Sequence, residues 1–226
     1  MRAQAENSLR AGLTALQLTL DDRQVAQLLD YQELIAKWTR VYNLTAVRDP
    51  LEMMTHHLLD SLAAVVPLGK WLALAKLEKG SRLLDVGSGA GLPGVVIAIC
   101  FPTIAVTCVD TVSKKAAFIK QAALALKLPN LTGLHARVEN VDQAFDVICS
   151  RAFASLPDFV QWSTGALAPE GVWMAMKGKH PADELATLPA SAEVFHVEQL
   201  QVPGLAAERC IIWMRPNKVH VGHAKA

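Results

Sequence analysis

The stretch LLDVGSGAGLPG, residues 83–94, decides the fold. It opens as a short apolar run, places an acid (Asp85) within it, and then sets glycines at alternate positions: Gly87, Gly89 and Gly91. A short apolar run ending in glycines reads as a buried strand entering a tight turn, and the apolar segment 93–101 behind it reads as a helix. Glycines let the backbone turn sharply and approach a ligand closely, and the following helix presents free N–H groups to it. The same texture continues downstream. Residues 104–110, 131–136, 145–150 and 171–178 read as strands, and 113–128, 155–167 and 181–188 as helices. Two last strands near 193–202 and 208–215 are joined by a short loop at Pro203-Gly204. Strand–helix alternation implies an α/β fold, mainly a parallel sheet covered on both faces, with an antiparallel hairpin at one edge.

Upstream the pattern is helical. Asp21 and Gln24 fit a capping box, with Val25, Leu28, Leu29, Ile35 and Trp38 following at helical spacing. Asp49-Pro50 is a second helix start, its apolar stripe running from Met54 to Val65 and ending at Pro67 and Gly69. The expected organisation is a helical cap over 1–78, an α/β domain over 79–216 and a basic tail over 217–226.

At 52% hydrophobic and 19% charged, the 226-residue chain buries too much and carries too little charge to be disordered. With 22 Lys and Arg against 21 Asp and Glu, it is not a binder that holds nucleic acid by bulk charge. Two stretches are locally basic. Lys114, Lys115, Lys120 and Lys127 lie in an acid-free segment, and Arg209, Arg215, Lys218 and Lys225 follow the last acid. No apolar run approaches the ~20 residues that span a bilayer, and the N-terminus lacks the apolar core of a secretory signal. Cys100, Cys108, Cys149 and Cys210 stand singly in apolar segments, the pattern of reduced core thiols. The expectation is a cytoplasmic monomer without a membrane or metal site.

Ligands of open α/β sheets bind beyond the carboxyl ends of the strands. Asp85 and the glycine loop stand at the first such end, Asp110 at the second, Val138-Glu139 after the third, Arg151 at the fourth and Lys177 at the fifth. Asp110 suits the two hydroxyls of a ribose. Gly89-x-Gly91-x-x-Gly94 formally matches a dinucleotide pattern. Two details favour S-adenosylmethionine instead. Asp85 would repel a pyrophosphate but suits a cationic amino-acid end, and Pro93 removes an N–H that a pyrophosphate would use. Val138 and Glu139 then face the adenine side. Arg151 has two readings, a structural ion pair or a contact with cofactor or substrate, and Lys177 shares them. The Asn/Asp-Pro-Pro-aromatic turn of amine methylation is absent after the fourth strand, and Cys149 lacks the proline of a pyrimidine-C5 nucleophile. His56 and His57, adjacent on a helix, point in different directions and read as solvated or capping residues. No catalytic residue is assigned.

Four motifs together, YNLTAVRDP (42–50), HHLLDSL (56–62), LLDVGSGAGLPG (83–94) and SRAFASL (150–156), resemble those of the bacterial small-subunit ribosomal RNA guanine-N7 methyltransferases, the glucose-inhibited division protein B family. The resemblance spans roughly residues 24–216. It implies a class I, Rossmann-like methyltransferase with a seven-stranded sheet and an N-terminal helical extension, acting on the N7 of a guanine in the 530 loop of small-subunit (16S) rRNA, the RNA being presented as ribonucleoprotein. Carried over by motif, Gly87, Leu92, Val138, Glu139 and Arg151 are cofactor contacts, with Gly89, Asp85 and Asp110 added from their positions at the strand ends. Lys114, Lys115 and Arg151 are expected to meet RNA, with Arg40 and Arg48 as further candidates. A small-molecule or protein methyltransferase is the alternative.

Overall fold

The computed structural model describes residues 2–217, so Lys218, Lys225 and nearly all of the expected basic tail lie outside the described residues. Strands β1 (Arg82–Val86), β2 (Ala105–Asp110), β3 (Leu131–His135), β4 (Phe145–Arg151), β5 (Leu167–Lys177), β6 (Ala192–Leu200) and β7 (Arg209–Pro216) form one sheet in the order β3-β2-β1-β4-β5-β7-β6. The first five are parallel, and β7 runs antiparallel to both β5 and β6. The order reverses direction between β1 and β4. That is the switch point at which doubly wound sheets open a crevice for ligands.

Helices α1 (Arg2–Ala15) and α2 (Asp22–Tyr42) begin the cap. The Asp21 capping box forms as expected, with Gln24 and Asp21 exchanging bonds. Helix α3 (Pro50–Met53) runs through a π-helical segment (Met54–Leu59) into α4 (Asp60–Leu62), and α5 (Val65–Ala75) follows. The helix therefore does not end at Pro67 and Gly69. Pro67 falls in the first turn of α5, where its missing N–H costs no intrahelical bond. Residues 50–75 thus make a 26-residue helical stretch long and apolar enough to cross a membrane, longer than the apolar runs read from sequence. Most of its apolar window is buried in the protein, as expected of a core helix.

Cap and sheet share one hydrophobic core. Leu9, Leu28, Ile35, Leu58 and Leu62 pack in a single cluster with Val95, Ile97 and Phe118 on one face of the sheet. Polar side chains of α2 reach backbone groups of the α/β unit. Tyr31 donates to Ala90 O at 2.6 Å, Gln27 to Leu126 O at 2.7 Å and Gln24 to Ile99 O at 2.9 Å. A second core, with Phe145, Leu156, Phe159 and Trp173, covers the other face beneath α8 (Leu156–Ser163). That helix is shorter than expected. A 3-10 turn (Thr164–Ala166) replaces its end, and β5 starts at Leu167.

Candidate active site

Helix α6 (Gly94–Cys100) and helix α7 (Ser113–Ala125) follow β1 and β2, and two cavities open where the strands end. The first, about 470 Å³, is lined by Leu44, Thr45, His56, His57, Asp60 and residues 87–90 among others. Leu92, Arg151, Lys177 and Arg209 complete its working wall. The second, about 380 Å³, is lined by Asp110, Val112, Lys115, Val138, Glu139, Phe153 and Trp162 among others. Gly87 and Ala152 line both, so the two spaces meet at the ends of β1 and β4.

The loop between β1 and α6 is built from left-handed backbone. Gly87 has φ +65°, and its N–H donates to Val109 O at 2.9 Å. A Cβ at Gly87 would fall 2.2 Å from Phe153 Cδ2, whereas one at Gly89 (φ +58°) would meet no atom closer than 4.0 Å and would fill open space. Ala152, the other shared residue, also has positive φ (+54°), a conformation that costs a residue with Cβ roughly 1 kcal/mol and that the neighbouring structure must hold in place.

The positions singled out from sequence divide into those that face the cavities and those that do not. Gly87, Gly89, Leu92 and Arg151 face the first, and Gly87, Asp110, Val138 and Glu139 the second. Asp110 accepts from Gly89 N at 3.0 Å and Val112 N at 2.8 Å, so its carboxylate also sets the loop geometry. Glu139 pairs with Arg137 at 2.7 Å, and that bond holds its carboxyl below the usual range.

Asp85 does not face either cavity, which corrects the expectation of a direct cofactor contact. It is fully buried beneath the loop, accepting from Gly94 N at 2.8 Å and lying beside Cys108. It holds the start of α6 rather than a ligand. Burial raises its carboxyl to about 7. A carboxyl whose folded value lies above the ordinary 3.8 binds more protons in the native state than in the unfolded one. Stability therefore falls as pH rises from about 4 to about 7, by an amount on the order of a few kcal/mol. Asp85→Asn, which keeps the acceptor for Gly94, should flatten that limb of the stability–pH curve in urea denaturation. An unchanged slope would count against the neutral, loop-holding role.

Lys115 is the second correction. It turns toward the second cavity, 3.8 Å from Asp110, instead of standing on an outer RNA face. Lys114 remains exposed and lies over the Tyr42 ring. Arg209 and Arg215 are not a free basic tail. They belong to β7 and pair with Asp60 and Glu193. Lys177 pairs with Glu184 at 2.7 Å and donates to Ala154 O.

Two residues of the first cavity, Asp60 and His57, escape the sequence reading. Asp60, only 3% exposed, accepts from Arg151 Nη1 at 2.6 Å and from Arg209 Nε at 2.8 Å. Arg151 also donates to His56 O at 2.9 Å. One buried carboxylate thus ties the cap to β4 and β7, and Arg151 is ion-paired while it lines the cavity. His57 is a buried wall of the cavity rather than a solvated residue, whereas His56 lines the cavity and stays exposed as expected. His57 is buried, its Nε2 is 2.8 Å from Thr45 Oγ1, and burial lowers its imidazole below the usual range. The signal for Asp60 was present in HHLLDSL: an acid inside an otherwise apolar helical stripe needs a buried cationic partner.

A seven-stranded sheet of this order, with a glycine loop after β1 and an acid closing β2, is the fold of class I S-adenosylmethionine-dependent methyltransferases. Solved structures agree on the fold. A SAM-dependent methyltransferase from Aquifex aeolicus matches 74% of this chain and 98% of its own at TM-score 0.53 and 17% identity, and TrmN from Thermus thermophilus matches 73% and 53% at 0.54 and 19%. The family model described as rRNA small subunit methyltransferase G matches residues 24–212. Proteins named ribosomal RNA small subunit methyltransferase G are 76% identical over 217 residues in Polaromonas sp. strain JS666, covering 96% of each chain, and 60% identical over 207 residues in Methylibium petroleiphilum, covering 91% and 92%. The chain belongs to this family and is a methyltransferase of small-subunit ribosomal RNA.

Proposed function

We propose that the joined cavities hold S-adenosylmethionine across Gly87 and present its methyl group to the N7 of a guanine in the 530 loop of small-subunit rRNA. The observation that carries this reading is the meeting of two differently built spaces at one glycine. The second offers Asp110, Val112 and Val138 to an adenosine, while the first offers Leu92, Arg151 and the open side of Gly89 to the amino-acid end and the target base. The open side at Gly89 and the carboxylate of Asp110 fit this cofactor, and Glu139 lies on the adenine side. When bound, S-adenosylmethionine supplies an electrophilic methyl on a sulfonium.

The chain's own contribution is orientation. Guanine N7 carries a lone pair and no proton, so no residue need act as a base. Several ionisable groups of the first cavity are engaged in other contacts: Asp60 is held by two guanidiniums, Lys177 by Glu184 and His57 by Thr45 Oγ1, while Asp85 is remote beneath the loop. Holding reactants in line is worth roughly 7–11 kcal/mol. Methylation leaves the base cationic, and a wall of arginines already neutralised in part by Asp60 can still grip RNA phosphate without a strong field on that base. We propose further that the substrate is the ribonucleoprotein form and that the setting is cytoplasmic. In rRNA from cells that lack this gene, 7-methylguanine should be missing from the 530 loop and should return on complementation. Its persistence would overturn the assignment.

A further inference from the structure

Helix α2 ends on two adjacent apolar side chains that its own core does not cover, Val41 at 69% exposure and Tyr42 at 42%. Tyr42 is held upright there. Trp38 supports its ring at 5.1 Å between centroids, and the Lys114 ammonium lies 5.7 Å from its ring centroid. Asn43 caps the helix in a left-handed conformation and accepts from Arg48 at 2.8 Å, fixing the start of the following loop. Two and three residues after Tyr42, Leu44 and Thr45 line the first cavity, and Lys115, next to Lys114, lines the second. The Tyr42–Lys114 contact therefore joins the two chain segments that enter the two cavities.

We infer that Tyr42 is a stacking platform for an unpaired base of the RNA substrate flanking the target guanine, with Lys114 moving from the ring to the neighbouring phosphate. The inference rests on the rRNA substrate reading above. Proteins that recognise RNA loops splay bases out and stack them on aromatic rings. Stacking a base on an aromatic ring changes affinity by about 5- to 100-fold, more than the few-fold effect of the exposed cation–π contact it displaces. Lys114 sits over the ring, Arg48 bonds the adjoining cap residue Asn43, and Arg40 lies two residues before Tyr42 in the chain, so charge favours a polyanion over an apolar protein partner. Asp49, the nearest acid along this loop, is occupied in capping α3.

Steady-state methylation of small-subunit particles from cells lacking this modification, at saturating S-adenosylmethionine, tests this. Tyr42→Ala should raise KM for RNA about 5- to 50-fold with kcat changed less than about twofold, and S-adenosylmethionine affinity unchanged. Tyr42→Phe should stay within about twofold of the parent, while Tyr42→Leu, which lacks a π face, should behave like Tyr42→Ala. Lys114→Ala should reduce the slope of log affinity against log salt by about one. A parental KM for Tyr42→Ala, or equal behaviour of the Leu and Phe variants, overturns the inference alone. A parent chain that transfers no methyl to the RNA of these particles overturns the rRNA reading and the inference together.

Discussion

Gly87→Ala is expected to cut cofactor-dependent methyl transfer by at least about 100-fold and to lower stability by about 2–4 kcal/mol. Two independent effects combine. At φ +65° any side chain is strained, which costs roughly 1 kcal/mol. The new Cβ would also lie 2.2 Å from Phe153 Cδ2 and 3.0 Å from two further ring atoms. Phe153 cannot swing away cheaply, because its ring packs edge-on against Phe159 at 6.5 Å and Trp162 at 5.8 Å. The ring and the glycine both belong to the wall where the cavities meet, so any relaxation moves the ligand surface. Turnover within threefold of the parent, with unchanged urea denaturation, would show that Gly87 is an ordinary turn residue.

Asp60→Ala is the second large effect. Removing one partner of a buried ion pair leaves an uncompensated charge, typically worth 3–5 kcal/mol. Arg151 and Arg209 side chains are 19% and 24% exposed, so solvent screening reduces this to about 2–3 kcal/mol. Activity should fall further than stability, on the order of 100-fold, since Arg151 would lose the bond that aims it into the cavity. The two losses should not be additive with loss of the partner. Adding Arg209→Met to Asp60→Ala should cost less than Arg209→Met does alone, because the charge it removes is already unpaired. Additive denaturation energies would mean that the three side chains do not act as one unit.

How far the sequence foretold this structure differs from place to place for physical reasons. The strand–helix alternation, the edge hairpin and the capping box at Asp21 were legible because each is a local pattern written over a few residues. The glycine loop, Asp110 and Val138 could be placed at the site because strand ends in such sheets converge. Asp85 was misplaced because period-2 alternation does not say whether a strand-end acid turns up into the crevice or down beneath it, and here Gly94 N–H draws it down. Asp60 and Arg209 lie 149 residues apart, and no local signal links them. The adjacent histidines do part company, His56 exposed and His57 buried, and no local pattern says which of the two turns inward. Pro67 looked like a terminator and is a helix start, a distinction set by the break at residues 63–64 rather than by the proline itself.

If the two cavities joined at Gly87 direct a methyl group to guanine N7 of small-subunit rRNA, the label transferred by the purified chain must lie on that atom. The most direct measurement incubates the purified chain with methyl-labelled S-adenosylmethionine and small-subunit particles from cells lacking this modification, and then maps the label by nuclease digestion and mass spectrometry. One labelled 7-methylguanine per RNA is expected, within the 530 loop, and at least about 100-fold slower labelling with Gly87→Ala. Label on an exocyclic amine or a pyrimidine carbon, or no transfer to the RNA, would contradict it.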